Sequence, residues 1–254
     1  MPATYFVLTP SESKRLIARA VVKLAPVRRA MSEGILMVST GSTNTYIVEE
    51  ILGERIPQHR YISGVTVPRK DPPEIPGDRR QDLVMVRGHI DATLDRFSAL
   101  EQMQPGDVFI KGANALNYET GTAGVLIGGH GGGGTIGATW GHVVGRRLDL
   151  IIPVGLEKCI AEDIYDIADR LNLPDEYDPD PPRMMPITGD IITEIEALEI
   201  LAGVTVYHVA SGGIAGAEGA VWLLAEGTDE EVAAARAVVD ALLGEPPFLG
   251  ELRC

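Results

Sequence analysis

Residues 104–158 read QPGDVFIKGANALNYETGTAGVLIGGHGGGGTIGATWGHVVGRRLDLIIPVGLEK, with three apolar runs that each stop at or just before a glycine. The runs are Val108 to Ile110, Gly124 to Ile127 and Leu148 to Val154, and their length and boundaries are typical of buried strands. Between the last two, residues 135–144 are long enough for a crossover helix, although their glycines lower its helix propensity. This order of strand, glycine loop, helix and strand predicts a parallel α/β sheet, whose ligands bind at the carboxyl ends of strands.

The four consecutive glycines Gly131, Gly132, Gly133 and Gly134 precede the predicted helix. A loop without side chains leaves its backbone N–H groups uncovered, and the N-terminus of the following helix is electropositive. We therefore predict that this loop binds an anion such as a phosphate or carboxylate. The alternative interpretation is a flexible hinge that contacts no ligand.

A second strand, loop and helix occupy residues 35–52. The apolar run Ile35 to Val38 is followed by a polar loop and then by a helical pattern from Tyr46 to Leu52. Hydroxyl and N–H groups at a helix start suit a phosphate or carboxylate. We expect Ser42, Thr43 or Asn44 to cap the helix, with or without such a ligand. The loop is not a P-loop, because the lysine and its spacing are missing. The candidate ligand-binding residues here are Thr40, Gly41, Ser42, Thr43 and Asn44.

These patterns predict an α/β domain over residues 1–171 with a mainly parallel sheet and helices on both faces. In that sheet, strands at Ile35, Val84, Val108 and Ile151 should lie side by side. Residues 172–183 are acidic and proline-rich and predict a linker. Residues 184–254 predict a small α+β domain, with a helix near 190–201, two strands and a final helix, similar to half of a ferredoxin-like fold.

Composition limits the partners. The chain has 254 residues, a formal net charge of −14 and a sequence pI near 4.8, which argues against nucleic-acid and anionic-membrane partners. An acidic chain that binds an anion must do so with backbone dipoles and one or two placed cations. The cysteines and the aspartates of residues 172–183 match no metal-ligand spacing, so we predict no metal and no cofactor. We expect a soluble, cytoplasmic protein. The sequence is compatible with a homo-oligomer.

One segment has the opposite charge balance. Six cations lie between residues 14 and 29, and we interpret them as a solvated face rather than a binding surface. They are Lys14, Arg15, Arg19, Lys23, Arg28 and Arg29.

The order of these segments resembles the superfamily that contains ribose-5-phosphate isomerase, glucosamine-6-phosphate deaminase and the CoA transferases. Val38–Thr43 is similar to its first loop, G-x-G-T-G-S-T, and Lys111–Asn117 to the isomerase sequence D-G-A-D-E-V-D. His130–Gly134 resembles K-G-G-G-G, and Ile152–Lys158 stands where the isomerase has a strand ending in D-E-S-K. The resemblance implies the superfamily's fold and an anion site at the strand ends.

The departures from this pattern concern the chemistry. Asn114, Ala115 and Asn117 stand where the isomerase has acidic residues, and His130 replaces its lysine. An amide cannot abstract a proton beside a carbonyl group as a carboxylate does. Glu119 is the nearest replacement carboxylate and also resembles the nucleophilic glutamate of the CoA transferases.

Two hypotheses follow for the function. The first is an enzyme that acts on a small anionic metabolite, phosphorylated or carboxylated and including acyl-CoA, with Lys111 for charge and Glu119 or His130 for proton transfer. Gly112, Asn114 and Thr120 would complete its ligand site. The second is a ligand-binding or regulatory protein that has the pocket but no catalysis. Nicotinamide binding is disfavoured, because no G-x-G-x-x-G with a downstream acidic residue occurs.

Overall fold

The computed structural model describes residues 2–63, 66–78, 81–128, 132–173 and 181–250. It shows a mixed α/β protein with one six-stranded, mostly parallel sheet and two small antiparallel sheets. His130 and Gly131, two of the predicted site residues, lie outside the described residues.

The strands and helices are numbered in chain order. The strands are β1 Ala3–Leu8, β2 Ile35–Val38, β3 Leu83–Val86, β4 His89–Ile90, β5 Val108–Ile110, β6 Ala115–Asn117, β7 Thr122–Ile127, β8 Asp149–Pro153, β9 Arg183–Ile187, β10 Asp190–Ile192, β11 Thr205–Ser211 and β12 Val221–Glu226. The helices are α1 Pro10–Val21, α2 Ala25–Glu33, α3 Ser42–Leu52, α4 Arg96–Gln102, α5 Gly134–Arg146, α6 Ile164–Leu171, α7 Glu194–Ala202 and α8 Asp229–Asp240. Short 3-10 turns span Gln58–Tyr61 and Leu156–Lys158.

The six-stranded sheet has the order β10-β8-β5-β2-β3-β4. Its first four strands are parallel, whereas β3 and β4 pair antiparallel. The predicted strands at Ile35, Val84, Val108 and Ile151 therefore do lie side by side.

Alternating residues of these strands build two hydrophobic clusters, as the two-residue side-chain period of a strand requires. Leu36 and Ile110 belong to a cluster that includes Leu16 of α1 and Ile47 of α3. Met37 and Phe109 belong to the other, which includes Leu100 of α4 and Ile136 of α5. Helices thus pack against both sides of the sheet.

The second strand of the glycine-rich stretch was predicted wrongly as part of the parallel sheet. Instead, β7 lies in the centre of an antiparallel sheet of order β6-β7-β9. Only residues 118–121 separate β6 from β7, and so short a connection can join only antiparallel neighbours. The helix and strand that follow, α5 and β8, were predicted correctly.

The C-terminal region contains the predicted helix, two strands and helix as α7, β11, β12 and α8. Its first helix starts later than predicted, because residues 190–192 form β10 at the edge of the six-stranded sheet. Thr193 then caps α7 through a capping box with Glu196, which sets the start of the helix. The third strand of the C-terminal sheet is β1, from the other end of the chain.

The basic segment is only partly a solvated face. Lys14 and Arg15 of α1 are both buried. Arg15 is ion-paired with Glu49 and, at 2.9 Å, with Glu50, and its guanidinium lies 4.6 Å above the ring of Tyr46. The prediction fails for these two residues because α1 packs between α3 and α7, where a buried cation must be paired.

No helix in the described part of the chain is both long enough and apolar enough to span a bilayer.

Candidate functional site

One cavity of about 390 Å³ opens where β2, β5 and β8 end. Because these neighbouring strands are parallel, the loops that follow them meet at one edge of the sheet. Residues 40–44 follow β2, residues 111–114 follow β5, and Lys158 lies in the turn after β8. The end of β7 and the start of α5 form the opposite wall, with Val125 to Gly128 and Gly133 to Ile136.

The buried amide of Asn44 joins two of these loops. Its Nδ2 donates to the carbonyl oxygen of Ser39 at 2.7 Å and to that of Ile110 at 3.4 Å. The ends of β2 and β5 are therefore held together beneath the cavity. Asn114 connects a third element, because its Oδ1 accepts the N–H of Leu126 in β7 at 3.0 Å.

Two lysines supply the charge of the cavity. Lys111 Nζ donates to the carbonyl oxygen of Gly112 at 2.8 Å, and Lys158 Nζ donates to that of Ala113 at 2.9 Å. The two ammonium groups are thus bound to consecutive peptide carbonyls. Neither forms an ion pair with a carboxylate among the described residues, so each has donors left for a ligand.

Burial changes the acidity of both lysines. The pKa of Lys111 is lowered from 10.5 to about 8, chiefly by burial and then by the positive charge of Lys158. The pKa of Lys158 is also lowered by burial, against the opposing attraction of Glu157 and Glu194. A bound anion would favour the charged form of each lysine and raise both pKa values.

Two helices begin at the cavity, and neither has a side-chain cap among the described residues. Gly41 is the N-cap of α3 and Gly133 that of α5. The expectation that Ser42, Thr43 or Asn44 caps α3 is therefore wrong. By contrast, α1, α4, α6, α7 and α8 are all capped by a Thr or Asp side chain. The first-turn N–H groups of α3 and α5 therefore remain available to an anion, near the positive end of each helix dipole.

The cavity wall contains no carboxylate and no imidazole among the described residues. Ser63 and Thr66 add polar groups to the wall, and Val125, Ile127 and Ile136 are among its apolar residues. The described lining of the cavity is therefore positively charged, although the chain as a whole has a net charge of −14.

Most of the predicted site residues meet here. The cavity is lined by Thr40, Gly41, Ser42, Thr43, Asn44, Lys111, Gly112, Asn114, Gly133 and Gly134. Gly132 lies in the turn just before α5 and is not part of the lining. Glu119 and Thr120 also lie elsewhere, in the exposed turn between β6 and β7.

Sequence reasoning did not single out Lys158, Ser63 or Thr66. Lys158 had a signal, because it stands in the loop that follows the apolar run of β8, and Lys111 stands in the loop that follows β5. Ser63 had none: it follows the 3-10 turn at Gln58–Tyr61, and its hydroxyl oxygen lies 2.9 Å from that of Thr40.

Comparisons with protein-family models, with curated proteins and with solved structures found no match to this chain.

Proposed function

We propose that the cavity binds a small anionic metabolite, phosphorylated or carboxylated, and that the protein is an enzyme whose chemistry differs from that of the sugar-phosphate isomerases. The observation that carries this proposal is the convergence of Lys111 and Lys158, with no carboxylate among the described lining residues. Uncapped starts of α3 and α5 add backbone donors. The volume of about 390 Å³ lies in the range of small-molecule sites.

We also propose that the chain is related to the ribose-5-phosphate isomerase and CoA transferase superfamily, which its sequence resembles. The loops after β2, β5 and β8 contain the segments that resemble the superfamily. Their residues line one cavity, which supports this proposal. The C-terminal unit, with β1 added to β11 and β12, would then be the ferredoxin-like part. Glu119 is no longer proposed as a catalytic residue, because it does not line the cavity.

One observation favours a second candidate, a receptor or regulator without catalysis. Among the described lining residues, no carboxylate or imidazole could abstract a proton from a bound ligand. Under this alternative the lysines and helix N-termini serve binding only.

Calorimetric titration with inorganic phosphate, pyrophosphate and ribose 5-phosphate tests whether an anion binds. We expect Lys158→Met to weaken the binding of the tightest of these probes by roughly 10- to 100-fold, because a charge-assisted hydrogen bond contributes about 1.5–3 kcal/mol. Methionine keeps the apolar length of the side chain and removes only its charge and donors.

Lys70→Met is the matched control, because Lys70 is exposed and does not line the cavity. It removes the same charge from the chain, so its affinity should stay within about twofold of the wild type. Equal losses in the two variants, or no binding of any probe to the wild type, would contradict the proposal. Turnover of a bound metabolite would separate the enzyme from the receptor.

A further inference from the structure

Lys111 and Lys158 both line the cavity. Their amino groups are bound to consecutive carbonyl oxygens, those of Gly112 and Ala113. Two ammonium groups held this close inside a protein repel each other, so one of them loses its proton more readily. An amine beside another cation in a desolvated pocket is the usual setting of a lysine nucleophile.

The surrounding charges decide which lysine becomes the neutral amine. Near Lys158 are two carboxylates, Glu157 and Glu194, which favour its ammonium form, while Lys14 opposes them. Near Lys111, by contrast, the carboxylate that acts among the described residues is Asp82, and Arg96 already binds it at 2.6 Å. These neighbours favour the charged form more at Lys158 than at Lys111, so Lys111 is the residue better placed to supply a free amine.

We propose that Lys111 forms an imine with the carbonyl carbon of an anionic aldehyde or ketone, whose charged group is held by Lys158 and the starts of α3 and α5. This inference rests on the proposed anion site. It names the class of ligand as a small phosphorylated or carboxylated carbonyl compound.

The step needs no partner beyond the ligand and water. The lone pair of the neutral Lys111 Nζ attacks the carbonyl carbon, and the C=O π electrons move to oxygen. Nitrogen then gives up both hydrogens to that oxygen, which leaves as water while the C=N bond forms. On protonation the iminium withdraws electrons from the adjacent carbon, so a C–H or C–C bond next to it is activated.

The lowered pKa makes the attack feasible near neutral pH. With a pKa of about 8, roughly a quarter of Lys111 is neutral at about pH 7.5, against about one part in a thousand for an ordinary lysine. The backbone bond to Gly112 also survives deprotonation, because a neutral amine still donates one N–H.

The test uses glyoxylate, a small anionic aldehyde, with cyanoborohydride to reduce any imine to a stable carboxymethyl amine. The chain has five lysines, so digestion and mass spectrometry can follow each one in the unmodified protein. We expect Lys111 to be labelled at least about tenfold faster than the exposed Lys23 and Lys70 at about pH 7.5. Inorganic phosphate should slow labelling at Lys111 and leave Lys70 unchanged.

Acetaldehyde is the matched neutral probe. The preference for Lys111 over Lys70 should be smaller with acetaldehyde than with glyoxylate, because only glyoxylate has a charge for the site to hold. Equal preferences would overturn the ligand class. Labelling of Lys111 no faster than Lys70, or slower than Lys158, would overturn the assignment of the amine.

Calorimetry with inorganic phosphate on the same protein distinguishes the two proposals. If phosphate binds and Lys111 is not labelled preferentially, the imine proposal fails and the anion site stands. If phosphate does not bind and Lys111 is not labelled, both fail. Because the mapping is done on the wild type, neither result depends on the folding of a variant.

Discussion

Glu194 is a carboxylic acid buried where α7 begins, against the turn that follows β8. Its Oε2 accepts the N–H of Leu156 at 2.9 Å, and its residue surface is fully buried. Burial, and then the negative charge of Glu157, raise its pKa from 4.5 to about 7. Lys14 lies 3.8 Å from Glu157, so Glu194, Glu157 and Lys14 form a small cluster of ionisable groups that acts on Lys158.

This raised pKa makes stability depend on pH. Between about pH 4.5 and 7 the folded protein holds a proton that the unfolded chain releases, so the free energy of unfolding falls as the pH rises. Replacing Glu194 with glutamine keeps an acceptor for Leu156 and removes the charge. At pH 8 we expect Glu194→Gln to be more stable than the wild type by up to roughly 3 kcal/mol, at about 1.4 kcal/mol for each pH unit.

Urea denaturation at pH 5 and pH 8 measures this difference. At pH 5 the advantage of Glu194→Gln should shrink to less than about 1 kcal/mol, because Glu194 of the folded protein is then protonated and pH 5 lies only half a unit above the pKa of the unfolded chain. Glu33→Gln, at an exposed site at the end of α2, controls for the change in net charge. A gain for Glu194→Gln that is equal at the two pH values would contradict the assignment.

The glycine loop before α5 has a conformational requirement of its own. Gly132, Gly133 and Gly134 have φ values of +126°, +69° and +61°, a region that other residues rarely adopt. The run of glycines therefore has a local reason that does not involve a ligand. A valine at Gly132 would be strained with or without an anion, so it cannot separate turn geometry from binding.

A pair of alanine variants on this loop separates strained from unstrained positions. We expect Gly133→Ala to lose about 1–2 kcal/mol of unfolding free energy, because a Cβ there would lie 3.0 Å from the Cα of Gly137 and φ is positive. Gly128→Ala should lose less than about 0.5 kcal/mol, since its φ is not in that region and its Cβ meets nothing within 4 Å.

Urea titrations of the two variants provide the comparison. Equal losses of stability in Gly133→Ala and Gly128→Ala would show that the left-handed turn does not require glycine. Gly128 also lines the cavity, so phosphate affinity in the stable Gly128→Ala variant reports whether a ligand approaches this backbone.

The two ends of the chain and the central sheet share one hydrophobic cluster. It contains Phe6 of β1 and Leu223 of β12, Leu16 of α1 and Ile110 of β5. Because α1 follows β1 directly and packs against α3 and α7, it connects the C-terminal sheet with the six-stranded sheet. The sequence-based division into domains at residues 171 and 184 predicts separate cores, and unfolding can test it.

The two tryptophans report on different parts of this arrangement. Trp140 is in α5 beside the second cluster, and Trp222 is in β12 of the C-terminal sheet. We expect the single-tryptophan variants Trp140→Phe and Trp222→Phe to give coincident urea transitions by fluorescence, because a shared core unfolds cooperatively. Circular dichroism of each variant controls for its own change in stability. A transition at lower urea for the Trp222 signal would instead support two independently unfolding domains.

Local sequence patterns were sufficient to predict an element wherever the interactions that form it lie within a few residues. Apolar runs ending in polar or glycine residues predicted β2, β5 and β8 and the loops at their carboxyl ends. Those loops contain Lys111 and residues 40–44, so the largest part of the cavity could be identified from the sequence. The capping and turn residues that end each strand act on their own neighbours, and their effect can be read locally.

Pairings between distant residues could not be read in the same way. An apolar run such as Val125 to Ile127 suits any sheet, and contacts with β6 and β9 placed it in an antiparallel one. Likewise β1 joins β12 from the opposite end of the chain, and Arg15 is buried because α1 packs between two other helices. Lys158 enters the cavity because β8 pairs with β5, which brings its amine beside that of Lys111. Strand pairing and helix packing are set by shape and burial across the whole chain, whereas a sequence pattern records only which face of an element is apolar.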